Sequence, residues 1–276
     1  MKAEHPSLRA SAIVLRRQDM LTEKMLWGVV PVGFRKLTDS QDNYLIVRQD
    51  RVEEINVSIC RDHWASAEQE QYHGRGTLRM VRLSDGETAL VRSYRHGGLL
   101  RNYTREWFFT WPPRPFRELA ITEELRRRGL RTVEIYAACV HRIAGPIYRG
   151  WLVTRKLRGS SDLWAALQGD LSQRCGLRAT LKAVADTLHT MHREGVYHAD
   201  LNLKNILVRF DGSAVQAYLI DFDKARFFLG ELSSRLANKN LRRLECSVRK
   251  LDPERRFLSA ESWDEFLDFY HGASDA

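Results

Sequence analysis

Tyr197-His198-Ala199-Asp200-Leu201-Asn202-Leu203-Lys204-Asn205, followed after two short apolar runs by Leu219-Ile220-Asp221-Phe222-Asp223, decides the reading of this chain. Moving a phosphoryl group from ATP to a hydroxyl needs a carboxylate to orient the hydroxyl and take its proton, and oxygen ligands to hold magnesium against the phosphates. The pattern H-x-D-x-x-x-x-N, then a strand ending in D-F, supplies Asp200 for the first task and Asn205 and Asp221 for the second. A lone H-x-D has no such force; the combination does.

The flanking residues agree with that reading. Upstream, Leu181, Val184, Leu188 and Met191 recur at a helical period that stops at Gly195. Downstream, Ile206-Leu207-Val208 and Ala217-Tyr218-Leu219-Ile220 read as strands joined across Asp211-Gly212, a hairpin signal. Helix, loop, strand, turn, strand and carboxylate follow in the order of a kinase C-lobe. Further upstream, Gly74-Arg75-Gly76 leads into Thr77 to Leu83, the turn Ser84-Asp85-Gly86, and Thr88 to Tyr94, which predicts two paired strands. Glycines let bare backbone approach ATP phosphates, and the following strand carries a cation for them. Gly74 and Gly76 match the first two glycines of G-x-G-x-x-G, with Arg79 at the third place. Arg92 in Ala89-Leu90-Val91-Arg92 stands where V-A-I-K has lysine. Its ion-pair partner is expected on the next helix, which begins at Phe116 and runs to about Arg128. Glu118 is the candidate, with Glu123 and Glu124 as competitors.

Val133 to Arg142 and Tyr148 to Leu157 read as strands joined at Gly145-Pro146, and Arg158-Gly159-Ser160-Ser161 as the hinge against which adenine would sit. Leu45-Ile46-Val47 and Ile55 to Ile59 also read as strands. The expected fold class is α+β: a protein-kinase-like, two-lobed fold with a β-rich N-lobe behind an N-terminal extension (1–157) and a mainly helical C-lobe (158–276).

Composition narrows the partners. With 276 residues and 43% hydrophobic content, the chain is large enough for a packed core. Its longest apolar run, Leu26 to Phe34, is too short to span a bilayer, and Ala12 to Leu15 is too short for a signal-peptide core. Cys60, Cys139, Cys175 and Cys246 form no C-x-x-C pair, so neither a zinc ribbon nor a disulfide scaffold is expected. His189 and His192 share a helix face without a visible third metal ligand. The net charge of +9 and a pI near 9.6 point to acidic partners. No zinc-finger, RNP or basic-zipper pattern accompanies that charge, so no nucleic acid is expected.

On these residues the chain resembles the lipopolysaccharide core kinases, and specifically the 3-deoxy-D-manno-octulosonic acid (Kdo) kinases. The resemblance is carried by Gly74-Arg75-Gly76, Arg92-Ser93-Tyr94-Arg95-His96-Gly97-Gly98-Leu99, Phe116-Arg117-Glu118-Leu119, the catalytic loop, and Ile220 to Arg226. It extends through Lys239-Asn240-Leu241-Arg242-Arg243-Leu244 and Ser247 to Lys250, so that it covers roughly Gly74 to Lys250. In that family an arginine at the Arg92 position is normal. The resemblance implies an ATP- and Mg2+-dependent enzyme that phosphorylates the 4-hydroxyl of the Kdo sugar on Kdo-lipid A, peripheral to the anionic cytoplasmic face of the inner membrane. It implies that His198 shapes the loop. Lys204 has two readings, a phosphate contact or a solvated side chain. Arg105 to Trp111 likewise reads either as a lipid-interface segment or as core. Asp223 replaces the glycine of D-F-G and no A-P-E follows, so neither activation-loop control nor a protein substrate is expected. Three alternatives stay open: a heptose kinase, an aminoglycoside- or choline-type kinase, and a non-catalytic kinase-like binding module.

Overall fold

The structure is a computed structural model and describes residues 24–57, 68–70, 78–95, 106–169, 176–212 and 214–272. The chain forms two units, one of residues 1–120 with 135–154, the other of 121–134 with 155–276.

The first unit is built on one seven-stranded sheet. Its strands are β1 (Phe34–Thr38), β2 (Asn43–Arg48), β3 (Glu68–Glu70), β4 (Leu78–Arg82), β5 (Thr88–Ser93), β6 (Ile135–Ala144) and β7 (Ile147–Arg155), in the spatial order β1-β2-β6-β7-β5-β4-β3. β2 and the first six residues of β6, Ile135 to Val140, are largely buried and carry β-branched and aromatic residues, as strand segments covered on both faces do. Side chains alternate between two cores. Leu45, Val47, Val81, Val91, Cys139 and Trp151 fill one. Ile46, Tyr94, Phe108, Ala138, Tyr148 and Leu152 fill the other, with Phe116 and Leu119 from α1 (Arg114–Arg127). Gly150 on β7 is there for space: a Cβ would lie 2.5 Å from Cγ of Pro115.

The second unit packs α2 (Leu163–Gln168), α3 (Leu177–Arg193), α4 (Ser234–Leu251) and α5 (Ala260–Gly272) around small sheets. One sheet has the order β11-β10-β8, from β8 (Ser160–Asp162), β10 (Ile206–Phe210) and β11 (Val215–Leu219). The other pairs β9 (Val196–Tyr197) with β12 (Arg226–Phe227). The apolar stripe predicted for α3 is buried: Leu181, Val184, Leu188 and Met191 join Leu201, Leu203, Ile206, Phe222, Leu244 and Phe266 in one core. That core fixes both ends of the catalytic loop.

Four expectations need correction. Ile55 is fully buried but lies in no strand: its amide donates to the Arg51 carbonyl at 2.8 Å, so a local turn takes the place of a ladder. Residues 58–59 lie outside the described residues. Ser160 and Ser161, read as hinge, lie in β8 and pair with Arg209 and Val208 of β10. The segment up to Trp111 is divided: Phe108 is core at 2% exposure, Trp107 and Phe109 are exposed, and Arg105 lies outside the described residues. Cys139 is disulfide-bonded, which the wide cysteine spacing did not suggest, while Cys246 is free and exposed.

Candidate active site

The cation site of the first unit starts from strand geometry. Arg92 on β5 pairs across the ladder with Leu78 of β4, and its side chain reaches Glu118 on α1. One guanidinium nitrogen, Nη2, donates to both carboxylate oxygens of Glu118, at 2.6 and 2.7 Å. The Tyr94 hydroxyl donates to Oε2 of the same carboxylate. Glu118 is nearly inaccessible, whereas the Arg92 side chain stays one-third exposed. A buried carboxylate therefore fixes a cation that still faces solvent, the arrangement a phosphate-binding cation requires. Glu123 and Glu124 pair instead with Arg126 and with Arg127 and Arg128. Gly74 and Gly76 lie outside the described residues; Arg79 is in β4.

The catalytic loop of the second unit begins where α3 must stop. Gly195 has φ +72°, and a Cβ there would lie 2.3 Å from the Gly230 carbonyl oxygen and 2.5 Å from that of Phe228. Only glycine allows this reversal. The chain then enters β9 and reaches His198, whose ring is buried against Phe222 with centroids 5.0 Å apart. His198 Nε2 donates to the Ile220 carbonyl at 2.9 Å, and Nδ1 accepts from the Asp200 amide at 3.2 Å. These two bonds require the neutral ring with its proton on Nε2. Burial pushes the His198 pKa down, opposed by its bond to Ile220 and by the charges of Asp221 and Asp200.

Inside the loop, Asn202 and Asn205 each donate a side-chain N–H to the Asp200 carbonyl at 2.8 Å. The Ile220 amide donates to the Asn205 carbonyl at 3.0 Å, tying the loop to the segment that carries Asp221. With Nδ2 of Asn205 given to that carbonyl, Oδ1 is the atom of its amide that would serve as an oxygen ligand. Asp221 holds φ +67°, a left-handed conformation a non-glycine residue adopts at some energetic cost, which concentrates at functional sites. An amide oxygen and a carboxylate are the hard donors that magnesium takes, so Asn205 and Asp221 fit that ion. Among the described residues no group of three or more His, Cys, Asp and Glu could hold a metal.

Several residues that hold this loop were not assigned a role from the sequence. Asn240, fully buried on α4, accepts from the His198 amide at 3.1 Å and donates to the His198 carbonyl at 2.7 Å. His192 Nε2 donates to the same Asn240 oxygen at 3.2 Å, and the Tyr270 hydroxyl donates to His192 Nδ1 at 2.7 Å. Burial lowers the His192 pKa to about 4 and raises that of Tyr270 to about 12. Ser247 Oγ accepts from the Leu203 amide at 3.2 Å. The available signal was Asn240 itself, a polar residue on the stripe of Ala237, Leu241, Leu244 and Val248.

Within a sheet-and-helix fold of this order, a neutral histidine, Asp200 and Asn205 on one loop, with Asp221 on the segment bonded to it, form a kinase-like arrangement. The chain belongs to the lipopolysaccharide kinase (Kdo/WaaP) family, whose model matches residues 63–270. It is 32% identical over 204 residues to the 3-deoxy-D-manno-octulosonic acid kinase of Pasteurella multocida (strain Pm70), covering 71% of this chain and 82% of that protein. It is 33% identical over 186 residues to the enzyme of the same name from Xylella fastidiosa (strain M12), covering 66% and 70%. A solved structure described as WaaP in complex with acyl carrier protein shares the fold, with a TM-score of 0.50 at 20% identity over 75% of this chain and 79% of that chain.

Proposed function

We propose that the protein transfers the γ-phosphoryl group of ATP to the 4-hydroxyl of a Kdo sugar on a lipid A precursor. The observation that carries the chemistry is the bonding of Asn202 and Asn205 to the Asp200 carbonyl, with Ile220 bonded to Asn205. It makes one unit of the proton acceptor and the oxygen ligands. The Kdo acceptor is supported by relatives bearing that name at 32% and 33% identity over most of the chain.

In this reading Asp200 orients the acceptor hydroxyl and takes its proton, Asn205 and Asp221 hold magnesium, and Arg92, held by Glu118, meets the ATP phosphates. Gly74 and Gly76, read from the sequence as ATP-binding, belong to the same proposal. Magnesium held there would neutralise charge on the phosphate oxygens. His198 keeps the Asp200 amide fixed, and so the direction of its carboxylate.

We place the enzyme peripherally on the anionic cytoplasmic face of the inner membrane. No helix among the described residues is long and apolar enough to cross a membrane. Phe227, Phe228 and Leu229 are exposed beside the exposed Lys224 and Arg226, a mixture of apolar and basic groups suited to an anionic lipid surface.

Mass spectrometry of purified protein with magnesium-ATP and a panel of Kdo-lipid A, heptosylated core, choline and an aminoglycoside tests the proposal, with Asp200→Asn as control. One phosphate is expected on the Kdo-lipid alone. The variant is expected to turn over about a hundredfold or more slower, the usual scale for loss of a general base. Phosphate on a different acceptor would replace the Kdo reading, and undiminished turnover of the variant would remove Asp200 as base.

A further inference from the structure

Asn240, Arg243 and Ser247 follow one another at i, i+3 and i+7 on α4 and therefore form one stripe. The outer two bind the catalytic loop's main chain at His198 and Leu203. The middle one is thereby brought to the loop's middle, where Arg243 Nη1 lies 3.8 Å from Asp200 Oδ1. At that distance the contact is an ion pair beyond hydrogen-bond range. A guanidinium carries five N–H donors in a planar fork, and the Arg243 side chain is 44% exposed against 23% for Asp200. Lys239, one turn earlier, places Nζ 5.8 Å from the centroid of the Tyr197 ring at the head of the same loop.

An exposed ion pair of this kind contributes little to folding. Its location matters more. The reacting hydroxyl must come within hydrogen-bond reach of Asp200. If the acceptor is a sugar acid, its own carboxylate then approaches the catalytic carboxylate, and two like charges repel at short range. A cation between them removes that repulsion, and the arginine fork matches a carboxylate edge-on.

Resting on the Kdo reading above, we propose that Arg243 is the subsite for the acceptor's carboxylate: it bridges that group and Asp200 and selects acidic over neutral sugars. Lys239 adds to the field without making the fork contact.

The test compares Kdo-lipid A with its Kdo methyl ester, using wild type, Arg243→Gln and Arg243→Lys, with kcat and KM measured separately. Loss of one charge-assisted hydrogen bond predicts a KM for the acid raised about ten- to hundredfold more than that for the ester in Arg243→Gln. Arg243→Lys should recover part of that difference. Equal losses on acid and ester would make Arg243 a positioning residue for Asp200 and overturn the subsite, as would no loss on either. Wild-type protein that phosphorylates neither Kdo acceptor would overturn the Kdo reading and the subsite with it; activity on the acid without an Arg243-dependent preference overturns the subsite alone.

Discussion

Arg92 in the first unit and the catalytic loop in the second are each fixed by buried partners of opposite character. Arg92 is held by charge: Glu118, sealed from water, has one cationic nitrogen and one hydroxyl against it. The loop is held by neutral groups, Asn240, His192, His198 and Ser247, that take hydrogen bonds largely from and to main chain. A buried charge is stable only while its partner remains. A neutral network tolerates salt but fails wherever one member is left unsatisfied or protonated. The two halves should therefore break under different treatments.

The largest effect is expected from Asn240→Leu. It keeps the helix stripe apolar but strands the His198 amide and carbonyl and the His192 N–H, each worth about 1–3 kcal/mol when left unsatisfied in the interior. Stability should fall by roughly 3 kcal/mol or more, and kcat with it. Denaturant titration and initial rates at saturating substrate would show this; a variant with wild-type kcat would mean that the clamp does not position the loop.

Removing the cation with Arg92→Met should cost about 3 kcal/mol, because it takes the positive charge away from the buried Glu118 carboxylate, and should raise KM for ATP. Arg92→Lys sharpens the contrast. A single nitrogen meets both Glu118 oxygens, so an ammonium can reproduce the contact in kind, and much of the ATP affinity should return. Were lysine as damaging as methionine, the fork of the guanidinium, rather than its charge, would be what the site needs.

The smallest effect is pH. Unfolded histidine takes up a proton near pH 6.5, whereas folded His192 resists until about 4. Between those values the unfolded chain binds more protons, so the stability this group contributes is complete above pH 6.5 and is lost as pH falls toward 4. From pH 7.5 to 5 the loss is about 2 kcal/mol. His198 adds in the same direction. Melting curves across that range should show the slope, and His192→Gln should flatten it; an unchanged slope would assign the acid sensitivity elsewhere.

The loop from His198 to Asn205 was legible in the sequence because its bonding is local: His198, Asn202 and Asn205 all bond the main chain of Asp200 within one short stretch. Asn240 lies 42 residues beyond His198, and the family resemblance included it without indicating that it clamps the loop. The helix and hairpin around the loop were equally plain, since Leu181 to Met191 and Asp211-Gly212 carry their own period and turn. The edge strands were not. β1 reads Phe-Arg-Lys-Leu-Thr and is mostly exposed, and β8 is three polar residues whose pairing depends on β10. Ile55 failed for the reverse reason, as an apolar β-branched residue that a tertiary core buries in a turn.

The lock on the catalytic loop also sets an order of events during synthesis. His198 and Asp200 leave the ribosome before Asn240, and Tyr270 comes 78 residues after His192. A growing chain thus carries Asp200, Asn205 and Asp221 before it carries the helices that hold the loop. The loop's bonds to Asn240 and, through His192, to Tyr270 have to wait for α4 and α5 to dock.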